Sequence, residues 1–313
     1  MSETLGTAAG GVGGVGVEER IREYEELRGV NDPAIEADAP RSSLGWVFWI
    51  SLGWVALMIL LAIFASVLPL TNPNFQNYAF VNSAPSIHHL LGTDDLGRDL
   101  LSRIIFGSRV SFVIGFASVG LALVTGGSLG LLAGYRGGSV DTLLNGGSFV
   151  ILAFPQLLAI LVVEAFWGIN LWKLTIMFAV AGAPQLFRVI RATTLSFATR
   201  EFVVAARTMG ASTWRIVMKE LLPNVIPAAV SFALIGVAVA IILEGSLAFL
   251  GLSIKLPTAS LGNIINEGVV NNNLALNPYI ALWPSIYIFL LLVALNLMAD
   301  RLRDRFDVRA GNL

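Results

Sequence analysis

The chain has 313 residues, 56% of them hydrophobic and only 13% charged, with no cysteine and a formal net charge of −1; its mean hydropathy is +0.76. Soluble domains carry about a quarter charged residues, so this is the composition of an integral membrane protein and not of a nucleic-acid binder. The missing cysteines remove disulfides, thiolate metal sites and thiol nucleophiles.

Met1–Val17 is glycine-rich and, apart from Glu3, uncharged. With neither a basic n-region nor an apolar h-region, it does not read as a cleavable signal peptide. Glu18–Arg28 is predicted as a short charged helix with Ile21, Tyr24 and Arg28 on one face. Residues 1–43 together read as a cytoplasmic tail, or as a regulatory arm.

Crossing a hydrocarbon core of about 30 Å takes roughly 20 helical residues. Apolar runs of that length occur at Leu44–Leu68, Val110–Ala133, Leu143–Trp167, Val225–Leu252 and Tyr279–Met298. A sixth, Leu174–Phe187, is short, contains Pro184 and precedes Arg188 and Arg191; its length suits a buried or re-entrant segment. Charge parity makes it a span. With six crossings, Arg20, Arg22, Arg28, Arg41, Arg136, the basic residues of Arg188–Lys219, and Arg301, Arg303, Arg305 and Arg309 fall on one side. Arg98, Arg103, Arg109, Lys173 and Lys255 fall on the other. The basic side is cytoplasmic, which places both termini there. The expected organisation is a tail over 1–43, a first transmembrane helix over 44–68, an external segment over 69–109, a core over 110–300 carrying a cytoplasmic loop at 188–223, and a second tail over 301–313.

Within the external segment, His88 and His89 have no further metal ligands in a local pattern and read as a polar loop pair. In Leu91–Arg109 (LGTDDLGRDLLSRIIFGSR), Thr93 and Asp94 are predicted to cap a helix whose first turn holds Asp95, with Gly97 packing against a span. Inside the spans, Glu164 and Glu244 are expensive carboxylates, expected either to line a pathway with Gln156 or to satisfy neighbouring polar groups. Asn145 and Gln185 are further polar groups there. No HExxH or GxSxG pattern occurs, and none of Lys173, Lys219 and Lys255 follows a glycine, so a phosphate-cradling P-loop is absent. An ATP-driven process would therefore need ATP and Mg bound by a separate subunit.

The polar excursion Arg200–Pro223 (REFVVAARTMGASTWRIVMKELLP) separates two apolar runs. Glu201–Met209 has helical composition, with Phe202, Ala206 and Met209 as an apolar stripe and Arg200 and Arg207 solvated. Gly210 is expected to end it at positive φ, Ser212 or Thr213 to cap a second helix, and Pro223 to separate that helix from the next span. Small Ala205 and Ala206 allow close approach of a partner.

The spacing of Ala205-Ala206, Gly210 and Leu222-Pro223 resembles the EAA loop of bacterial ABC importer permeases, whose coupling helix docks on an ATPase subunit. Val204 departs from the usual Glu of that motif, and Glu220 from its usual apolar residue. The block containing Gly92, Thr93, Asp94, Gly97, Arg98, Asp99, Ser102 and Arg103 is similar to the segment before the second span in permeases of the dipeptide/oligopeptide/nickel importer family. Leu243–Leu252, Pro257, Leu261-Gly262 and Leu302–Arg309 resemble the same family, so the likeness runs from about Leu44 to Arg309, in the C-type pattern.

The resemblance implies an all-α type I ABC importer permease with six transmembrane helices. Glu201, Ala205, Ala206, Arg207, Gly210, Leu222 and Pro223 would couple it to the ATPase. Its expected partners are a B-type permease, two ATP-binding cassette subunits, an extracellular substrate-binding protein and lipid, and it is not itself an enzyme. Peptides (di- or oligopeptides) are the expected cargo; nickel chelates or another non-peptide solute are the alternative within the same importer architecture. An ion-coupled secondary transporter using Glu244 is the alternative from another class.

Overall fold

The computed structural model describes residues 44–168, 170–254, 257–270 and 273–311. The tail over 1–43, with its predicted helix at Glu18–Arg28, and Lys255 lie outside them. The chain runs through α1 (Gly45–Phe64), α2 (Leu100–Arg136), α3 (Gly138–Leu152), α4 (Gln156–Trp167) and α5 (Leu171–Ala198). It continues through α6 (Glu201–Thr208), α7 (Thr213–Phe249), α8 (Leu261–Val269) and α9 (Tyr279–Gly311). Among the described residues the only β pairing is an isolated bridge between Thr93 and Asp99, so the fold is all-α.

Five helices, α1, α2, α5, α7 and α9, are long and apolar enough to cross a membrane, and α3 with α4 makes a sixth crossing bent by 79°. The robust and the fragile span are exchanged relative to the sequence reading. Leu143–Trp167 is interrupted at Ala153–Pro155, because proline ends the hydrogen-bond ladder and pushes Phe154 out of the helical region. Leu174–Phe187 belongs instead to a continuous 28-residue helix that passes through Pro184.

Tertiary packing decides between the two prolines. Gly126, Gly130 and Gly134 of α2 form a small-xxx-small row against α5. A methyl on Gly126 would collide with the Ala183 carbonyl; on Gly130 it would lie 2.6 Å from the Phe187 oxygen, and on Gly134 2.7 Å from Thr194 Cβ. The backbones of α2 and α5 thus touch along three turns, holding α5 as one continuous helix across Pro184.

Successive spans alternate in direction. The end of α1 meets the early part of α2, since Arg109 donates to the carbonyls of Ala62 and Ile63 and to Ser66. The opposite end of α2 (Leu131, Tyr135) packs with α6. Along the bent pair, Asp141 of α3 pairs with Arg191 late in α5, while Ile160 of α4 packs with Leu174 early in α5 and Val110 early in α2. Helix α5 is therefore a true return crossing, and Leu44 and Leu302 lie in one cluster.

Two helices are longer than a bilayer requires. At 1.5 Å per residue the 37 residues of α2 and of α7 each span about 55 Å. Leu100–Arg109, expected as an external segment, is the first part of α2, and Pro223, expected as a separator, lies inside α7. A π turn at Ile216–Leu221 accommodates that proline: the Leu222 N–H donates five residues back to Val217, and the widened turn precedes the residue lacking an N–H.

Candidate functional site

At the end of the bundle where α2 and α5 finish, α6 crosses as a short helix. Val203 and Ala206 are buried in a cluster with Leu131 of α2, Ile190 and Phe197 of α5, and Ile216, Leu221 and Val225 of α7. The expected stripe of Phe202, Ala206 and Met209 is thus divided: Ala206 faces inward, Phe202 is half-buried and Met209 is 81% exposed. At 100° per residue, the outward face consists of Glu201, Val204, Ala205 and Thr208, all exposed. Ala205 is therefore open to a partner, whereas Ala206 is the small residue that lets α6 lie close on its own subunit.

The termination is built as the sequence predicts. Gly210 has φ +78°, and its N–H donates to the Arg207 carbonyl while the Ala211 N–H donates to Ala206. These two bonds form a Schellman motif, closed by Ala211 packing into the same cluster as Ala206. Ser212 caps the following turn by accepting from the Arg215 N–H at 3.4 Å. Arg207 is not simply solvated, because its guanidinium lies 5.6 Å from the Tyr135 ring centroid. Trp214 is exposed, Leu222 is half-buried beside the cluster, and the Glu220 carbonyl accepts from the Asn224 side chain.

The other motif sits at the opposite end of α2. Asp94 and Thr93 do not cap a helix there; Asp99 does, accepting from the Ser102 N–H at 2.9 Å. Thr93 instead ties the loop to Ser83 and Phe80. The Asp94 carboxylate accepts from the backbone N–H groups of Leu96 and Arg98, from Arg98 Nε at 2.7 Å, and from Arg103. Arg103 and Arg98 both reach Glu267 of α8. Arg103 is 0% exposed, so a buried ionic cluster joins the loop, α2 and α8. Burial, reinforced by the nearby Asp94 and Glu267 charges, pushes the Asp95 carboxyl above the usual range.

Gly97 packs against the loop residue Asn77 and not against a span: at φ +71° its place for a side chain is filled by the Asn77 carbonyl. Gly92, at φ +84°, lies against Ser83 and the ring of Tyr279 in α9. The histidines separate, with His89 Nδ1 3.0 Å from Asp99 and His88 exposed. Glu267, Arg109 and the Gly126–Gly130–Gly134 row were not singled out in the sequence. Only the glycine row had a readable local signal, its four-residue spacing.

Of the intramembrane groups, Glu244 is 1% exposed and enclosed by Ser111 and Ser253 hydroxyls at 3.0 and 3.1 Å, with Ser260 also bonded to it. That cage removes it from any lining surface in this chain. Glu164 is 5% exposed with neither carboxylate oxygen bonded among the described residues. Gln156 begins α4 and donates to the Ala181 carbonyl at 3.0 Å; with Gln185 it lines a cleft between α2, α4, α5 and α7.

Residues 126–312 match the family described as binding-protein-dependent transport system inner membrane component. The glutathione transport system permease protein GsiD of Pectobacterium atrosepticum is 36% identical over 255 residues, covering 81% of this chain and 84% of that protein. The dipeptide transport system permease protein DppC of Alkalihalophilus pseudofirmus is 33% identical over 253 residues, covering 81% and 83%. Among solved structures, a chain of the inward-facing MetNI methionine ABC transporter superposes with a TM-score of 0.54 at 20% identity, over 66% of this chain and 97% of that one. The shared architecture is the type I ABC importer permease fold.

Proposed function

The chain belongs to the family of binding-protein-dependent transport system inner membrane components, and on that premise we propose that it is the permease subunit of an ATP-driven importer for peptides. The relatives named for dipeptide and glutathione transport support this cargo. In this reading it pairs with a homologous permease, receives cargo from an external binding protein, and is driven by two ATPase subunits that hold the ATP and Mg. Both termini and α6 then lie in the cytoplasm, in keeping with the basic residues gathered at that end.

The observation that carries the mechanism is the seat of α6. Its inner face is locked into a cluster contributed by α2, α5 and α7, and its outer face of Glu201, Val204, Ala205 and Thr208 is exposed among the described residues. A partner ATPase that draws α6 sideways must move the attached spans with it, because a packed core transmits displacement as a body. With Val204 in place of an acidic residue, docking at that point is by apolar contact and not by a salt bridge. The serine cage around Glu244 speaks against ion-coupled transport through that carboxylate.

Replacement of Ala205 by Trp tests the docking face, since Ala205 is exposed and its side chain supports no internal packing. In proteoliposomes holding the whole importer, Ala205→Trp is expected to lose co-purifying ATPase and peptide uptake together. Wild-type uptake with peptide-stimulated ATP hydrolysis in that variant would refute the assignment.

A further inference from the structure

We propose that Gln156 and Gln185 form an uncharged amide-recognition site in the wall of the translocation pathway, one that hydrogen-bonds the peptide groups of the passing solute; this rests on the peptide reading above. The break at Phe154–Pro155 makes Gln156 the first residue of α4 and lets its side chain reach across to α5. There its Nε2 donates to the Ala181 carbonyl at 3.0 Å. That bond fixes the amide and leaves its Oε1 and second N–H unused among the described residues. One turn on from Ala181, on the same face of α5, the exposed Gln185 makes no hydrogen bond among the described residues.

The two side chains share a cleft of about 40 Å³, large enough for a few water-sized groups. Small residues make the room: Ala122 of α2, Gly182 of α5 and Gly236 of α7 all border it. No lining residue is ionisable. A polar side chain within a span is costly unless it meets another polar group, and here the Gln185 amide and the remaining donor and acceptor of Gln156 have no partner among the described residues. Each offers the donor and acceptor pair that complements a peptide bond. A charged cargo group would find no counter-charge, so the site favours neutral amides over metal chelates.

The test uses the full importer, with its partner permease, ATPases and binding protein, reconstituted in proteoliposomes and given labelled dialanine or glutathione. Gln185→Leu is expected to co-purify with its partners in wild-type proportion and to slow peptide uptake about tenfold, the effect of losing one or two hydrogen bonds. Gln185→Asn should recover part of the rate. Because the chain has no cysteine, Gln185→Cys supplies its only thiol, and a small thiol reagent should label it more slowly while either peptide is being transported.

Unchanged uptake by Gln185→Leu, or labelling that peptide does not slow, overturns the site while leaving the importer reading intact. A Gln185→Cys thiol that is never labelled assigns the cleft to contact with the partner permease and also overturns it. Failure of the wild-type complex to take up either peptide overturns the cargo reading itself, and this inference with it.

Discussion

Replacing Arg103 by Met should destabilise the subunit by about 3–5 kcal/mol, the penalty for breaking a buried ion pair from one side. Arg103 is fully buried and its guanidinium serves two carboxylates, Asp94 and Glu267, with Nη2 3.1 Å from Glu267 Oε1. Methionine keeps most of the aliphatic stem and removes the charge. The wild-type cluster sets Asp94, Asp95 and Glu267 against Arg98 and Arg103, one net negative charge; the variant carries two. Arg98 already bonds both acids, Asp94 through Nε at 2.7 Å and Glu267 through Nη2 at 2.9 Å, so in the variant its single charge would face three carboxylates with no second guanidinium to share them. In detergent, thermal unfolding should begin about 6–15 °C lower, at 2–3 °C per kcal/mol for a chain of this size. Adding Glu267→Gln restores the charge count and should recover part of the loss. A melting temperature within about 2 °C of wild type for Arg103→Met would refute the view that this cluster holds α8 to α2.

Gly97→Ala meets both a positive φ and the Asn77 carbonyl, so it should cost more than the roughly 1–2 kcal/mol of the left-handed conformation alone. Gly210→Ala, at φ +78° with open space around it, should cost only that amount, and the difference between the two melting temperatures checks the reasoning. Glu164→Leu removes a carboxylate whose two oxygens are unbonded among the described residues, so it should stabilise the subunit by up to about 1–3 kcal/mol of relieved desolvation, read as a higher melting temperature. The Asp95 carboxyl, raised by burial and by neighbouring acids, favours folding when protonated; that contribution is full below its unfolded value and is lost as pH rises through its folded value. Asp95→Asn should therefore stabilise the subunit at neutral pH and become indistinguishable from wild type in acid, as read from melting curves across that range.

The class, the apolar spans and the short helix ended by Gly210 are legible because they rest on local chemistry: apolar length, and a glycine where a helix must reverse. The register of contacts is not. Pro155 and Pro184 look alike in sequence, and only the α2 glycine row, distant in the chain, keeps α5 continuous across Pro184. Ala205 and Ala206 are likewise indistinguishable until Val203 shows which face is buried. Asp94 has the side chain of a helix cap, but the cap of α2 is Asp99. The actual partners of Asp94 include Glu267's own ligand Arg103 and, through it, a helix more than 160 residues away, a distance no local pattern spans.

The same contacts define which parts of the subunit move together. The glycine row fastens α2 to α5, and the cluster beneath α6 fastens both to the start of α7. Helix α6 is therefore not a hinged lever but an outgrowth of a three-helix wall. Helix α1 is joined differently, by a single buried face of Phe48, Ser51, Val55, Met58 and Ala62 and by Arg109 capping its last carbonyls. The bent pair is looser still, since Ser148 is the only buried side chain of α3 and the Asp141–Arg191 pair is its one ionic tie among the described residues. In the proposed importer, a pull on α6 would therefore shift α2, α5 and α7 as a unit against the α3–α4 break. Gln156 stands at that break while Gln185 stands on the wall, so the cleft between them is where such a shift would be felt.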